Sequence, residues 1–254
     1  MNGHILPRFG FKRVRDRRPG RKPDPISVSR TSTIRTSEQY TDQLLCAECE
    51  HRIKVGGEDY TAKVAFQENG DSEMFRLVGY RSAVNSLPWP SPAVPVAATA
   101  LDIERLTYFA LSVIWRASVC SVPEFTGYKL QDVDEESIRS FLLSGTPYSP
   151  SVTVMLVVLD QARGMTRRFD QAMTFPVMET QSPGFEKHVF QINGLFFRVG
   201  IGPAVPQTLL DMDLRRRSPP VVVFAAANHI AEVGAMRDVV ATSPVRGSLA
   251  RDRE

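Results

Sequence analysis

Cysteine is scarce in this chain, with only Cys46, Cys49 and Cys120 among 254 residues. So small and odd a number excludes a disulfide framework and fits a reducing compartment. No apolar run reaches the roughly 18 residues of a membrane-spanning helix. The first residues are rich in Arg and Pro and carry no apolar signal core, so the chain is expected to remain cytoplasmic, without a membrane partner. Internal repeats are absent. Gly200-Ile201-Gly202 runs straight into Pro203 and opens no helix, which excludes a nucleotide loop there. Spacing assembles no Ser-His-Asp or Cys-His triad.

What is present is globular material: 43% hydrophobic and 23% charged residues, enough to bury one large core or two modest ones. The net charge of +3 conceals an asymmetry. Residues 1–35 hold ten Lys or Arg against Asp16 and Asp24, so that stretch is +8 and the remainder −5. Clustered cations displace counterions from phosphates, which points to a polyanion partner, DNA or RNA. Arg8, Lys12, Arg13, Arg15, Arg17, Arg18, Arg21 and Lys22 are the candidate contacts. A solvated terminus with no partner has the same composition.

The chain divides into five stretches. Residues 1–36 form the basic arm, broken by Pro7, Pro19, Pro23 and Pro25 and expected to be irregular. Residues 37–85 hold both closely spaced cysteines and a helix after them. Residues 86–98, with Pro88, Pro90, Pro92 and Pro95, read as a stiff linker. Residues 99–245 read as a domain, and 246–254 as a disordered tail. In the domain, Thr99 to Asp102 predicts a cap. Ile103, Leu106, Phe109, Ala110, Val113, Ile114 and Ala117 then recur at helical spacing on nearly every face. A second helix is predicted over 135–143, stopped by Gly145. Strands are predicted over 152–159, 187–192, 195–201 and 221–225, the middle two joined by an Asn193-Gly194 hairpin turn. The fold class is therefore α+β, with helices on an antiparallel or mixed sheet.

Cys46 and Cys49 are one helical turn apart at a helix start, where both sulfurs can face one ion and the helix end favours thiolates. They form half a zinc site, with His4 and His51 as further candidate ligands. Cys120, at the end of a core helix, reads as packing.

Gly3-His4-Ile5-Leu6-Pro7-Arg8-Phe9, with Leu44-Leu45-Cys46-Ala47-Glu48-Cys49-Glu50 some forty residues on, resembles a group of bacterial and phage proteins related to the HNH endonucleases. Glu58 with Tyr60, and the string Phe109 to Ser118, extend the resemblance over about half the chain. It implies a treble-clef zinc finger, here truncated, because the group's first Cys-x-x-Cys precedes the His4 string and this chain begins too close to it. It also implies metal-dependent phosphodiester hydrolysis. His4 would be the general base, with a catalytic divalent ion near Glu50 or His51. The residue before the base, commonly an acid or His, is Gly3, and the motif's Asn falls near Thr41.

Other charged residues read as structural. Glu58 and Asp59 read as pairing with Arg or Lys on a solvated helix face. Arg116, inside an apolar helix, needs a partner, with Glu104, Asp132 and Glu135 the candidates. Arg215-Arg216-Arg217 reads as a solvated turn or a second phosphate contact. His188 and His229 have no acid or cysteine companions and carry no assigned role. The expected function is nucleic-acid binding by a protein of HNH-endonuclease-like ancestry, a metal-dependent nuclease or its degenerate descendant. The alternative is a non-catalytic interaction module whose finger remnant is structural and whose C-terminal domain binds a protein partner.

Overall fold

A single helix organises the protein. The computed structural model describes residues 3–14, 26–28, 33–35, 39–65, 72–78, 93–159, 173–225 and 245–247. In chain order the elements are β1 (Gly3–His4), α1 (Arg8–Val14), β2 (Ile26–Val28), β3 (Thr33–Arg35), β4 (Thr41–Asp42) and α2 (Ala47–Ile53). A π-helical turn, Lys54–Glu58, leads into α3 (Asp59–Val64), followed by α4 (Glu73–Leu77) and β5 (Ala93–Ala97). Then come α5 (Ile103–Val119), α6 (Asp132–Ser144), β6 (Val152–Leu159), β7 (Val177–Ser182), β8 (Phe185–Ile192) and β9 (Leu195–Ile201). The described chain closes with α7 (Gln207–Leu210), β10 (Val221–Ala225) and β11 (Val245–Gly247).

Helix α5 is buried almost all round, from Leu106 to Ser118 with only Tyr108 partly exposed, as its apolar faces require. Its cap is Asp102, whose carboxylate accepts the Arg105 N–H at 3.1 Å. The expected cap was built on Thr99, one turn too early. Helix α6 begins three residues before the predicted start and ends at Gly145, whose φ of 72° is the left-handed stop expected of glycine.

The helices pack on a six-stranded sheet of order β5-β10-β6-β9-β8-β7, antiparallel except for the parallel pair β6–β10. Alternation decides which face each residue serves. Val152, Val154, Leu156 and Val158 of β6, Phe197 of β9 and Phe224 of β10 join the α5 core. Met155, Val157, Leu159, Phe196 and Val223 form a second apolar cluster on the opposite face. Strands apolar on both faces are interior strands, which is why these runs do not alternate with polar residues. The turn between β8 and β9 has φ of 43° at Asn193 and 82° at Gly194, the conformation the Asn-Gly pair predicts.

The N-terminal arm departs from expectation. It carries the strand β1 and helix α1, and Ile5, Leu6 and Phe11 are buried in the same core as Phe109 and Phe224. Pro7 precedes the first residue of α1 and its carbonyl accepts the Gly10 N–H at 3.0 Å, so it starts a helix where a break was expected. Strands β2 and β3 also lie in the supposed irregular arm. The expected linker, 86–98, likewise contains the whole of β5, an edge strand in which Pro95 is tolerated because one side has no ladder partner among the described residues. Val245–Gly247, read as the fraying end of the chain, pairs in parallel with β3. The remaining tail, 248–254, lies outside the described residues.

Candidate functional site

The chemistry-bearing residues converge on a short ribbon and a long helical run. Strand β1 pairs antiparallel with β4, so that His4 faces Thr41 and Gly3 faces Asp42. The position matched to the motif's Asn therefore lies directly across the ribbon from the candidate base. Asp42 is held in place by the Ser121 N–H at 2.7 Å, which keeps its carboxyl below the usual range. From Cys46 the chain enters α2, the π turn and α3 without a break.

This run lies against α5 at close range. A Cβ on Gly57 would sit 2.7 Å from the Phe109 backbone nitrogen and 2.9 Å from the Arg105 carbonyl oxygen, so only glycine allows the approach. Tyr60 Oη accepts the Asp102 N–H at 2.8 Å and fixes the far end.

The approach carries Glu58 inside. Arg116, 1% exposed, places Nη2 2.7 Å from Glu58 Oε1, an ion pair by distance without well-angled hydrogen bonding. Its Nη1 donates to the His4 carbonyl at 2.7 Å and its Nε to the Ser112 carbonyl at 3.2 Å. Arg116 thus finds its partner on the π turn. Glu104 pairs instead with Arg215, and Glu135 accepts from Ser118 Oγ at 2.6 Å. Glu58, expected to pair with an Arg or Lys on a solvated face, is instead the counter-ion of a buried cation.

His4 is half-buried, and its Nδ1 is enclosed without a hydrogen-bond partner among the described residues. Burial, then the Arg8 cation, lowers its pKa despite the opposing Glu58 charge, so the imidazole is neutral at pH 7 and able to accept a proton. Glu50 projects from α2 into the space over Gly3, where any Cβ would collide with its Oε1. Burial raises the Glu50 pKa, with Arg116 opposing and Glu58 adding to the shift.

Cys46 caps α2. Its Sγ accepts the Cys49 N–H at 3.5 Å, which lowers the Cys46 pKa. The neighbouring Cys46 sulfur, then burial, raises the Cys49 pKa. The helix end therefore favours the thiolate at Cys46 and not at Cys49. His51 is exposed on α2, two residues beyond Cys49 and so on another face of the helix. Among the described residues no three His, Cys, Asp or Glu side chains come together as a metal-holding group. The described residues thus supply two of the four donors that structural zinc takes, and no step is assigned to an ion. Cys120 is buried, with its thiol on the Ala117 carbonyl, as packing requires.

Of the basic candidates, Arg8 and Lys12 are exposed on α1. Arg13 is used structurally: it donates to the Ala62 carbonyl at 2.6 Å and lies over the Phe9 ring. Arg15, Arg17, Arg18, Arg21 and Lys22 lie outside the described residues. Arg215 stacks on Tyr148 and Arg216 pairs with buried Asp213, so this basic turn is largely tied down. His188, assigned no role from sequence, is fully buried with Nδ1 2.9 Å from Tyr128 Oη. Its neighbours Tyr128 and Glu186 are distant in sequence or on the same strand, and only the local Glu186-x-His188 spacing signalled part of this cluster.

No helix among the described residues is long and apolar enough to cross a membrane. Compared with protein-family models, with curated proteins and with solved structures, the chain matches none.

Proposed function

We propose that this protein binds nucleic acid at a site of HNH-endonuclease-like descent, in which His4 is the group that accepts a proton. The observation that carries the reading is the convergence on one ribbon of His4, Thr41 across from it, and Glu58 through Arg116. The neutral imidazole suits a general base, which must be unprotonated near pH 7 to take a proton from water. Exposed Arg8 and Lys12 lie on the helix that follows His4 directly and supply cations for phosphates. The basic residues 15–22 extend the same charge along the chain.

Binding is tested by fluorescence anisotropy of the full chain with labelled duplex DNA and single-stranded RNA across a salt series. Arg8→Ala with Lys12→Ala is expected to weaken binding and lower the salt slope by about 2. Unchanged affinity and slope would remove the nucleic-acid reading. Nicking of supercoiled DNA with added magnesium or manganese then tests hydrolysis. His4→Ala must abolish any nicking while leaving binding intact, and persistent nicking would remove His4 as the base.

A further inference from the structure

The connector between α5 and α6, residues 120–131, is fastened at both ends by side chains distant in sequence. At its start, Ser121 gives its N–H and its hydroxyl to Asp42 Oδ2, at 2.7 and 2.8 Å, and so holds the β4 side of the ribbon. Phe125, in a short 3-10 turn, packs edge-on against Tyr40, whose carbonyl accepts the Ile5 N–H beside His4. At its end, Tyr128 Oη lies 2.9 Å from His188 Nδ1 on β8, and Gln131 Nε2 donates to Glu186 Oε1 at 3.3 Å.

The surroundings of His188 fix where its hydrogen sits. The ring is fully buried, and its Nε2 lies 3.5 Å from Glu186 Oε2 without a well-angled hydrogen bond. A carboxylate there favours a hydrogen on Nε2 over a lone pair, which leaves Nδ1 as the acceptor. Burial pushes the Tyr128 pKa well above its ordinary value, so the phenol keeps its hydrogen and donates it to Nδ1. Behind Glu186 stands Asp134 of α6, its carboxyl raised by burial and by the Glu186 charge. Met178 and Val199, opposite His188 on the neighbouring strands, are uncharged. An imidazolium carries a hydrogen on both nitrogens. Protonation therefore turns Nδ1 from acceptor to donor and strands the Tyr128 hydrogen, which makes no other hydrogen bond among the described residues.

We propose that this connector is an acid-sensitive latch: a proton on His188 releases Tyr128, and the opened connector lets go of Asp42 and loosens the β1–β4 ribbon that carries His4. The device is independent of the nucleic-acid reading, because it requires only the contacts at the two ends of the connector. Burial lowers the His188 pKa to about 4, whereas the open connector leaves it near 6.5. The latch is thus tightest above pH 6.5 and weakens as pH falls towards 4. Between pH 7 and pH 5 the opening equilibrium should rise about 20-fold.

The test is hydrogen exchange of the full-length chain at pH 7 and pH 5, read by peptide mass spectrometry and corrected for the intrinsic rate at each pH. Amides of residues 120–131 and of Tyr40 to Asp42 should lose about 20-fold in protection at pH 5, while those of β6 and β9 keep theirs. His188→Gln retains an acceptor for the phenol but cannot take the proton, and it should remove the pH response. Equal losses in β6 and β9, no loss in the connector, or a response that survives His188→Gln overturns the proposal. Nitrogen-15 NMR of the histidine rings reads the wild-type chain directly, whatever the variant does to folding. The expected result is a hydrogen on His188 Nε2 at pH 7 and an imidazolium only below about pH 5. A hydrogen on Nδ1 instead, or titration near the ordinary histidine value, overturns the latch.

Discussion

Arg116 Nη2 lies 2.7 Å from Glu58 Oε1, although 58 residues separate them in the chain. The pair joins the last turn of α5 to the π turn, and the same guanidinium holds the His4 carbonyl. Removing one member strands the other as a buried charge. Arg116→Met should therefore cost about 3–5 kcal/mol, read by guanidinium denaturation. Arg116→Met with Glu58→Gln should cost less than the sum of the single changes, because the double variant leaves no uncompensated charge. Additive costs would show that the two groups are not coupled.

His188 sets a pH dependence. Burial pushes its pKa down to about 4 from 6.5, even with Glu186 Oε2 3.5 Å from Nε2. The folded state thus resists a proton that the unfolded chain accepts. The stability associated with neutral His188 is present above pH 6.5 and is lost as pH falls towards 4, by about 3 kcal/mol across that window. His188→Gln should flatten the stability profile between those values. A profile as steep as wild type would place the acid sensitivity elsewhere.

Two glycines distinguish a soft contact from a hard one. Gly57→Ala drives a Cβ into the backbone of α5, which has no freedom to yield, and should cost at least about 1–3 kcal/mol in thermal unfolding. Gly3→Ala meets only the Glu50 carboxylate, which can rotate away. It should cost less in stability while displacing Glu50 from the ribbon. Equal costs would contradict this difference in packing.

The start of α5 depends on Asp102. Asp102→Ala removes the cap on the Arg105 N–H and should destabilise the fold by about 1 kcal/mol, whereas Asp102→Asn should cost far less. If both variants lose stability equally, the carboxylate acts through its ion pair with Arg105 and not as a cap.

Much of the fold was legible locally. Helix α5, the stop at Gly145, strands β6, β9 and β10 and the Asn193-Gly194 turn follow from periodicity and turn chemistry, which need only neighbouring residues. The arm misled because its prolines and arginines outweighed Ile5, Leu6 and Phe11, whose burial depends on surfaces supplied by distant elements. Pro95 misled in the same way, since only the sheet order makes its strand an edge. Of the site, Cys46, Cys49 and His4 stood out by type and spacing. Glu58 as the partner of Arg116 did not, because charge alone does not choose among distant carboxylates.

The sequence by itself determined the α+β class, the central helix, the interior strands and the placement of two cysteines on one helical turn. These are consequences of 3.6- and 2-residue periods and of glycine conformations, all short-range. Only the tertiary structure decided that the arm belongs to the core, that Arg116 is neutralised by Glu58, and that His4 faces Thr41 beneath a half-buried carboxylate. Those facts depend on which surfaces meet when apolar area leaves water, and the Gly57 approach that brings Glu58 inward exists only once α5 is packed against it.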